Sequence, residues 1–419
     1  MAKKQLRAMM AYMCFAVFTL FFGYECVRSA SNTLFQQAYG TENLPVVLAL
    51  MLPSMFVILL FYNKILSKMG PRRTLVVTSL ACGVILFLTY ASIAGNVTVM
   101  RWFLYIFREI YLVLILEQYW SFIDSTLDAP TAKSWNGFFL GSASIGSIVG
   151  GLFVSKAAHT LGTQQLLIFT AASVFPATFL ANIAYKKVAD RLFEAPSETS
   201  QKQAHAGGIF AELKLNLKLF RDIPMLNVIL LLVVTTQALA AVIGLNFQSY
   251  LQQAIPDLNS QTAYSGQFYA ILNGFSFTFQ FLVAPLALKW FGTVFIQAMI
   301  PTVHVIATGA AVFYPSLTTV SAAFLLFKSF DYSFFRITKE LLYVPLPFDA
   351  RYRAKEFIDV FGYRTAKGGA SLGILGARLV GLVGVTFYSW MSFGCALIWL
   401  ALIVPILRKS SQKYRELNA

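Results

Sequence analysis

Charge is scarce in this chain: Asp, Glu, Lys and Arg make up 12% of 419 residues, against a hydrophobic share of 58%. Soluble domains carry about 25% charged residues, so a soluble globular protein is excluded. Histidine is rarer still, with three copies, and the four cysteines, Cys14, Cys26, Cys82 and Cys395, show no paired spacing. These shortages remove metal-ligand clusters and a disulfide framework, and the cysteines read as small apolar packing residues. No GxxxxGK[ST] loop and no other nucleotidase or metal constellation occurs, which argues against an ATP-driven pump; the chain is not expected to be an enzyme, and no cofactor and no metal are expected. Acidic residues are also few, 18 against 33 basic ones, for a net charge of +15.

What fills the sequence is apolar length. Stretches of about 20 residues, enough to cross ~30 Å of hydrocarbon, run over residues 8–33, 44–62, 74–95, 101–124, 134–156, 163–185, 224–251, 262–288, 292–313, 318–345, 356–385 and 387–407. They predict twelve transmembrane helices. With both termini cytoplasmic, the inner loops collect nearly all loop Lys and Arg, and only Arg101 and Lys156 fall outside. This is the asymmetry expected of a multi-pass protein of a bacterial inner membrane. The positive balance is therefore topological and predicts no nucleic-acid partner. The basic and apolar opening KKQLRAMMAYMCFAVFTLFF could mimic a signal peptide, but removing it would reverse the loop asymmetry, so it reads as the first span.

One long polar segment, residues 186–223, divides the chain into an N-terminal six-helix bundle (1–185) and a C-terminal one (224–419). Within it Phe210, Leu213, Leu217 and Phe220 have the spacing of a short interfacial helix. The halves resemble each other at an offset of 222 residues: Ala132-Lys133 aligns with Ala354-Lys355, Gly70 with Gly292, and Glu109 with Asp331. Two parallel six-helix repeats are the arrangement of the major facilitator fold. The fold class expected is thus an all-α membrane protein with two pseudo-symmetric bundles.

Ionisable groups cost ~2.5–3.5 kcal/mol each at mid-membrane, so their placement carries information. They fall in four predicted spans only, His304 apart. The first span holds Glu25 and Arg28; the fourth holds Arg108, Glu109 and Glu117. The tenth holds Lys328, Asp331, Arg336, Lys339 and Glu340, and the eleventh holds Arg364 and Lys367 among others. Arg28, Arg108, Lys328, Arg364 and Lys367 are the candidate ligands of an anionic solute, because Lys and Arg bind phosphate or carboxylate through charge-assisted hydrogen bonds. Glu25, Glu109, Glu117 and Asp331 are candidates for ion pairing or coupling. Arg336, Lys339 and Glu340 lie nearer the cytoplasmic edge, where snorkelling accounts for them equally well. Glu25–Arg28 and Lys328–Asp331 have the i, i+3 spacing of pairs that neutralise themselves. His304 reads as a hydrogen-bonded packing residue.

The stretch KELLYVPLPFDARYRAKEFIDVFGYRTAKGGAS, Lys339 to Ser371, resembles the signature of the ATP/ADP translocases of intracellular bacteria and plastids, in which K-E-x-x-Y-x-P-L precedes A-x-x-x-I-D and G-K-S-G-G. WSFIDSTLDAPTAKSWNGFFLGSASIG, PTVHVIATG and LPVVLALMLPSMFVILLFYNKILSK are similar to family segments too. Two sites depart: the family's R-D-x-K-D-T-L is RSASNTL at Arg28 to Leu34, and its K-S-G-G is Lys367-Gly368-Gly369. The resemblance implies a major-facilitator-like carrier working by alternating access, with nucleotide counter-exchange as the family activity. The expectation is a monomeric secondary transporter of an organic anion in the lipid bilayer, with a nucleotide or related phosphorylated metabolite as solute. The alternatives are a proton-coupled carrier of a polycarboxylate such as a siderophore, and a non-transporting anion-binding membrane sensor.

Overall fold

The computed structural model describes residues 3–127, 129–187, 219–344, 346–347, 355–384 and 386–418. The expected interfacial helix lies almost wholly outside them. Among the described residues the chain is helical and contains no strand. In order come α1 (Lys3–Tyr39), α2 (Leu44–Ala94), α3 (Val99–Thr126), α4 (Ala129–Thr160), α5 (Leu166–Lys186), α6 (Pro224–Ala254) and α7 (Leu258–Thr278). Next are α8 (Ala284–Phe313), α9 (Leu317–Phe330), α10 (Arg336–Tyr343), α11 (Tyr363–Leu379) and α12 (Phe387–Asn418). Seven described stretches are long and apolar enough to cross a membrane: Leu6–Tyr39, Thr41–Ala94, Pro130–Thr160, Leu166–Lys186, Pro224–Ala254, Leu258–Phe313 and Phe387–Pro405. The helices outside that set include α3 and α9 to α11, which carry most of the charge expected within the membrane.

Two of the seven stretches, of 54 and 56 residues, exceed what one crossing needs at ~1.5 Å per residue. Each is broken at a glycine: Gly70 has φ 72° and ψ 168°, Gly292 φ 72° and ψ 169°. An L side chain is strongly disfavoured there, so glycine permits the break, and the same break recurs at the 222-residue offset. Pro71 restarts the helix after Gly70, since an N-terminal first-turn proline loses no helical hydrogen bond.

The helices group into two compact units. The first comprises Met1–Glu42, Pro53–Gln201 and Ile255–Gly274; the second comprises Asn43–Leu52, Lys202–Ala254 and Phe275–Ala419. In the first, α1 is the central element, and glycines let its neighbours approach. A Cβ on Gly146 of α4 would collide with the Phe18 carbonyl oxygen, and one on Gly150 would stand 2.6 Å from that of Phe22. Small residues four apart are the membrane solution to close helix packing, where apolar burial gives no net drive. The start of α7 joins this unit through the same device, Gly151 against Gly266. It is capped by Asp257, whose carboxylate accepts from the Ser260 amide at 2.8 Å.

Among the described residues of the second unit three π-helical turns interrupt the helices: Phe279–Val283, Asp331–Phe335 and Ile358–Gly362. Such turns insert about one residue, rotate the facing of the helix beyond them and concentrate at functional sites. Two of the three contain an acidic residue, Asp331 and Asp359. His304 is 1% exposed and boxed by the rings of Phe327, Phe330 and Trp399 at 5.2–5.7 Å. Its Nε2 has no hydrogen-bond partner, so packing against rings, rather than a bond at that nitrogen, defines its environment.

Candidate functional site

Each unit holds its own charged cluster. In the first, α1 places Glu25 and Arg28 one turn apart, and α3 places Arg108 and Glu109. Arg108 is 5% exposed. Its Nε donates to Glu109 Oε1 at 3.1 Å, and its Nη1 donates to the Arg28 carbonyl at 3.1 Å, to Ser31 Oγ at 2.9 Å and to Asn32 Oδ1. The guanidinium carbon also lies 3.8 Å from the Tyr105 ring centroid. A buried charge held on so many sides is a staple between α3 and α1: its desolvation is offset by fixed acceptors.

Arg28 stands differently. Its Nη1 reaches Glu25 Oε1 at 3.3 Å, its guanidinium lies 3.6 Å from the Tyr269 ring centroid, and its side chain keeps 17% exposure. A cation over a tyrosine face is attracted by the ring quadrupole without being neutralised. Glu25, 1% exposed, also accepts from Asn273 Nδ2 at 2.9 Å. Tyr269 in turn accepts at its hydroxyl from Asn32 Nδ2 at 3.3 Å. Tyr269 and Asn273 belong to α7, which is pinned to α1 further along by uncharged bonds: Thr33 to Thr262 at 2.6 Å and Gln261 to Gln36 at 2.8 Å. Glu117 lies elsewhere, within electrostatic range of Tyr62, whose hydroxyl meets Ser121 Oγ at 3.3 Å.

In the second unit Asp331 sits on the π turn after α9, its side chain 4% exposed. Lys328 Nζ approaches its Oδ2 to 3.9 Å, and the charges of Lys328, Lys367, Lys339 and Arg336 all bear on it, in that order. Lys328 also lies 5.1 Å from the Tyr332 ring centroid. Lys339 Nζ donates to Asp359 Oδ1 at 2.6 Å and stands 3.8 Å from Glu340, while Lys355 bonds Glu340 at 2.5 Å. Lys339 and Glu340 thus take part in a ladder of pairs that ties α10 to the turn before α11. Arg336 is exposed. Arg364 lies on α11 beside Lys367 in sequence, but its side chain is outside the described residues. No group of three or more His, Cys, Asp and Glu residues fit to hold a metal occurs among the described residues.

The family model described as "TLC ATP/ADP transporter" matches residues 316–409, the stretch that carries this second cluster. ADP,ATP carrier protein 1 of Chlamydia trachomatis serovar D is 23% identical over 473 residues, covering 96% of this chain and 89% of the carrier. Over residues 316–409 the chain resembles the ATP/ADP transporters that the family model describes. Among solved structures, a bacterial homologue of the iron transporter ferroportin in its inward-facing state superposes with TM-score 0.69 at 12% identity, covering 96% of this chain and 99% of that one. A nucleoside transporter superposes with TM-score 0.62 at 13% identity, covering 95% and 98%. These likenesses show the fold, major-facilitator-like and all-helical. The relatives and neighbours it is similar to are by name carriers and transporters.

Against the translocase pattern, two of the three neutral substitutions in α1 have a visible use. Ser31 and Asn32, standing where that pattern carries lysine and aspartate, both accept from Arg108. Asn32, Tyr269 and Asn273 give no signal in the sequence, where charge is the guide; uncharged amides and a phenol in a chain with 19 tyrosines are silent to it. The only cue lies in polarity: the α7 run LNSQTAYSGQFYAILNG is unusually rich in hydroxyl and amide groups for an apolar span.

Proposed function

We propose that this protein is a secondary transporter that exchanges a nucleotide, or a related phosphorylated metabolite, across a bacterial inner membrane by alternating access. The observation that carries the reading is the gathering of Lys328, Lys367, Lys339 and Arg336 around the buried Asp331, with Lys339 also paired to Asp359. Gathering cations in a low-dielectric interior is costly, and an incoming phosphate group offsets part of that cost. The similarity to ADP,ATP carriers supports nucleotide as the solute. Lys328, Lys367 and Arg364 are the proposed ligands in the second half and Arg28 in the first, with Arg108 fixing α1 and Asp331, Glu25 and Glu109 compensating charge when the solute is absent. We take the topology to be twelve spans in two six-helix bundles, with both termini cytoplasmic and the protein a monomer. The breaks at Gly70 and Gly292 support this by dividing each overlong apolar stretch into two crossings.

A second reading has one observation in its favour: the translocase lysine of α1 is replaced by Ser31, which Arg108 occupies. This leaves one cation fewer for a triphosphate and favours a less charged polycarboxylate, carried with protons. A thermal-shift series on the purified protein separates the two. At a hundredfold excess over Kd, a ligand adds about 2.7 kcal/mol to apparent stability. ATP or ADP is expected to raise the melting temperature while citrate does not; stabilisation by citrate alone would overturn the nucleotide reading.

A further inference from the structure

The Arg28–Glu25 contact, 3.3 Å, is long for a guanidinium-to-carboxylate bond, which runs at about 2.7–2.9 Å. The oxygen it reaches, Oε1, is the same one that accepts from Asn273 at 2.9 Å, whereas Oε2 is buried with no hydrogen-bond partner. Two donors therefore share one oxygen. The arginine also leans on the Tyr269 ring at 3.6 Å, one helical turn from Asn273, so α7 supplies both the face that carries the guanidinium and the amide that competes for its carboxylate. α4 brings Gly150 close to the Glu25 Cβ, and α5 brings Ser173 close to Gly23. The other charged groups around the pair, Arg108 and Glu109, are bonded to each other.

We infer that Asn273 is a positioning residue that holds Glu25 back from closing fully on Arg28, and so sets the affinity of Arg28 for a solute phosphate. The inference rests on the proposed role of Arg28 as an anion ligand. A neutral amide can orient a carboxylate without neutralising it. Without the amide, Oε1 belongs to Arg28 alone, the internal pair shortens and strengthens in its dry surroundings, and an entering phosphate has to displace a better-held carboxylate. Asn273 thus keeps the internal pair loose enough to exchange.

The test is equilibrium binding of radiolabelled ATP to the full chain in nanodiscs. Asn273→Ala should weaken binding about tenfold, the effect of strengthening one charge-assisted bond, while Asn273→Ser, which keeps a donor, should fall between it and the parent. In a Glu25→Gln background, where no carboxylate competes, Asn273→Ala should leave affinity unchanged. An equal loss in both backgrounds would make Asn273 merely structural and overturn the inference. If Arg28→Gln abolishes binding while Asn273→Ala binds like the parent, this inference alone fails. If Arg28→Gln binds ATP as the parent does, the underlying role of Arg28 falls as well.

Discussion

Two arginines of one cluster do different work. Arg108 is enclosed by Glu109, Ser31, Asn32 and a helix carbonyl, whereas Arg28 keeps a partly exposed guanidinium over a ring. Replacing Arg108 by Ala strands Glu109 and three oriented acceptors, and should cost about 3–5 kcal/mol, the range for removing one member of a buried pair. Lys367→Gln removes a cation from the surroundings of Asp331 while keeping a similar side-chain length. Thermal melts and ATP binding on the two variants should therefore diverge: lower melting for Arg108→Ala, a tenfold or greater loss of affinity at nearly unchanged melting for Lys367→Gln. The reverse pattern would exchange their roles. Both residues were legible in the sequence because charge inside an apolar span is rare. The division of labour between Arg28 and Arg108 was not, since it depends on Ser31, Asn32 and Tyr269, residues whose types carry no charge signal.

At the scale of elements, long apolar runs made an all-helical chain legible, while seven described stretches, rather than the twelve expected, are long and apolar enough to cross a membrane. The runs could not reveal the π turns at Asp331–Phe335 and Ile358–Gly362. Inserting a residue changes which side chains share a face without changing hydrophobicity, so an ideal helix places Lys328, Asp331 and Lys339 on one face only approximately. The glycine breaks were legible only through the internal repeat. Gly70 and Gly292 share one backbone conformation, in a region that costs other residues about 1–3 kcal/mol. Gly70→Ala and Gly292→Ala should each lower stability by an amount in that range, and by similar amounts, in detergent melts; neither Cβ would meet another atom within 4 Å, so strain alone is being measured. A loss at one site and none at the other would show that the matching geometry has no matching energetic role.

For the whole molecule, the class of function was visible early: scarce charge gathered into a few spans fits a solute path and nothing that a lipid-facing helix needs. The resemblance of the Lys339–Ser371 stretch then pointed to the translocases, and the family model covers that same region. The assignment of Ile255–Gly274 to the compact unit built on α1 was not legible, because it depends on hydroxyl and amide contacts between distant parts of the chain, Thr33 with Thr262 and Gln36 with Gln261. Hydropathy does not see such contacts. The central claim is exchange of one nucleotide for another. Uptake of labelled ATP into proteoliposomes, with and without unlabelled ADP inside, tests it most directly. Internal ADP should accelerate uptake severalfold, and the acceleration should disappear in Lys367→Gln. Uptake indifferent to internal nucleotide and driven instead by an imposed pH gradient would contradict the account.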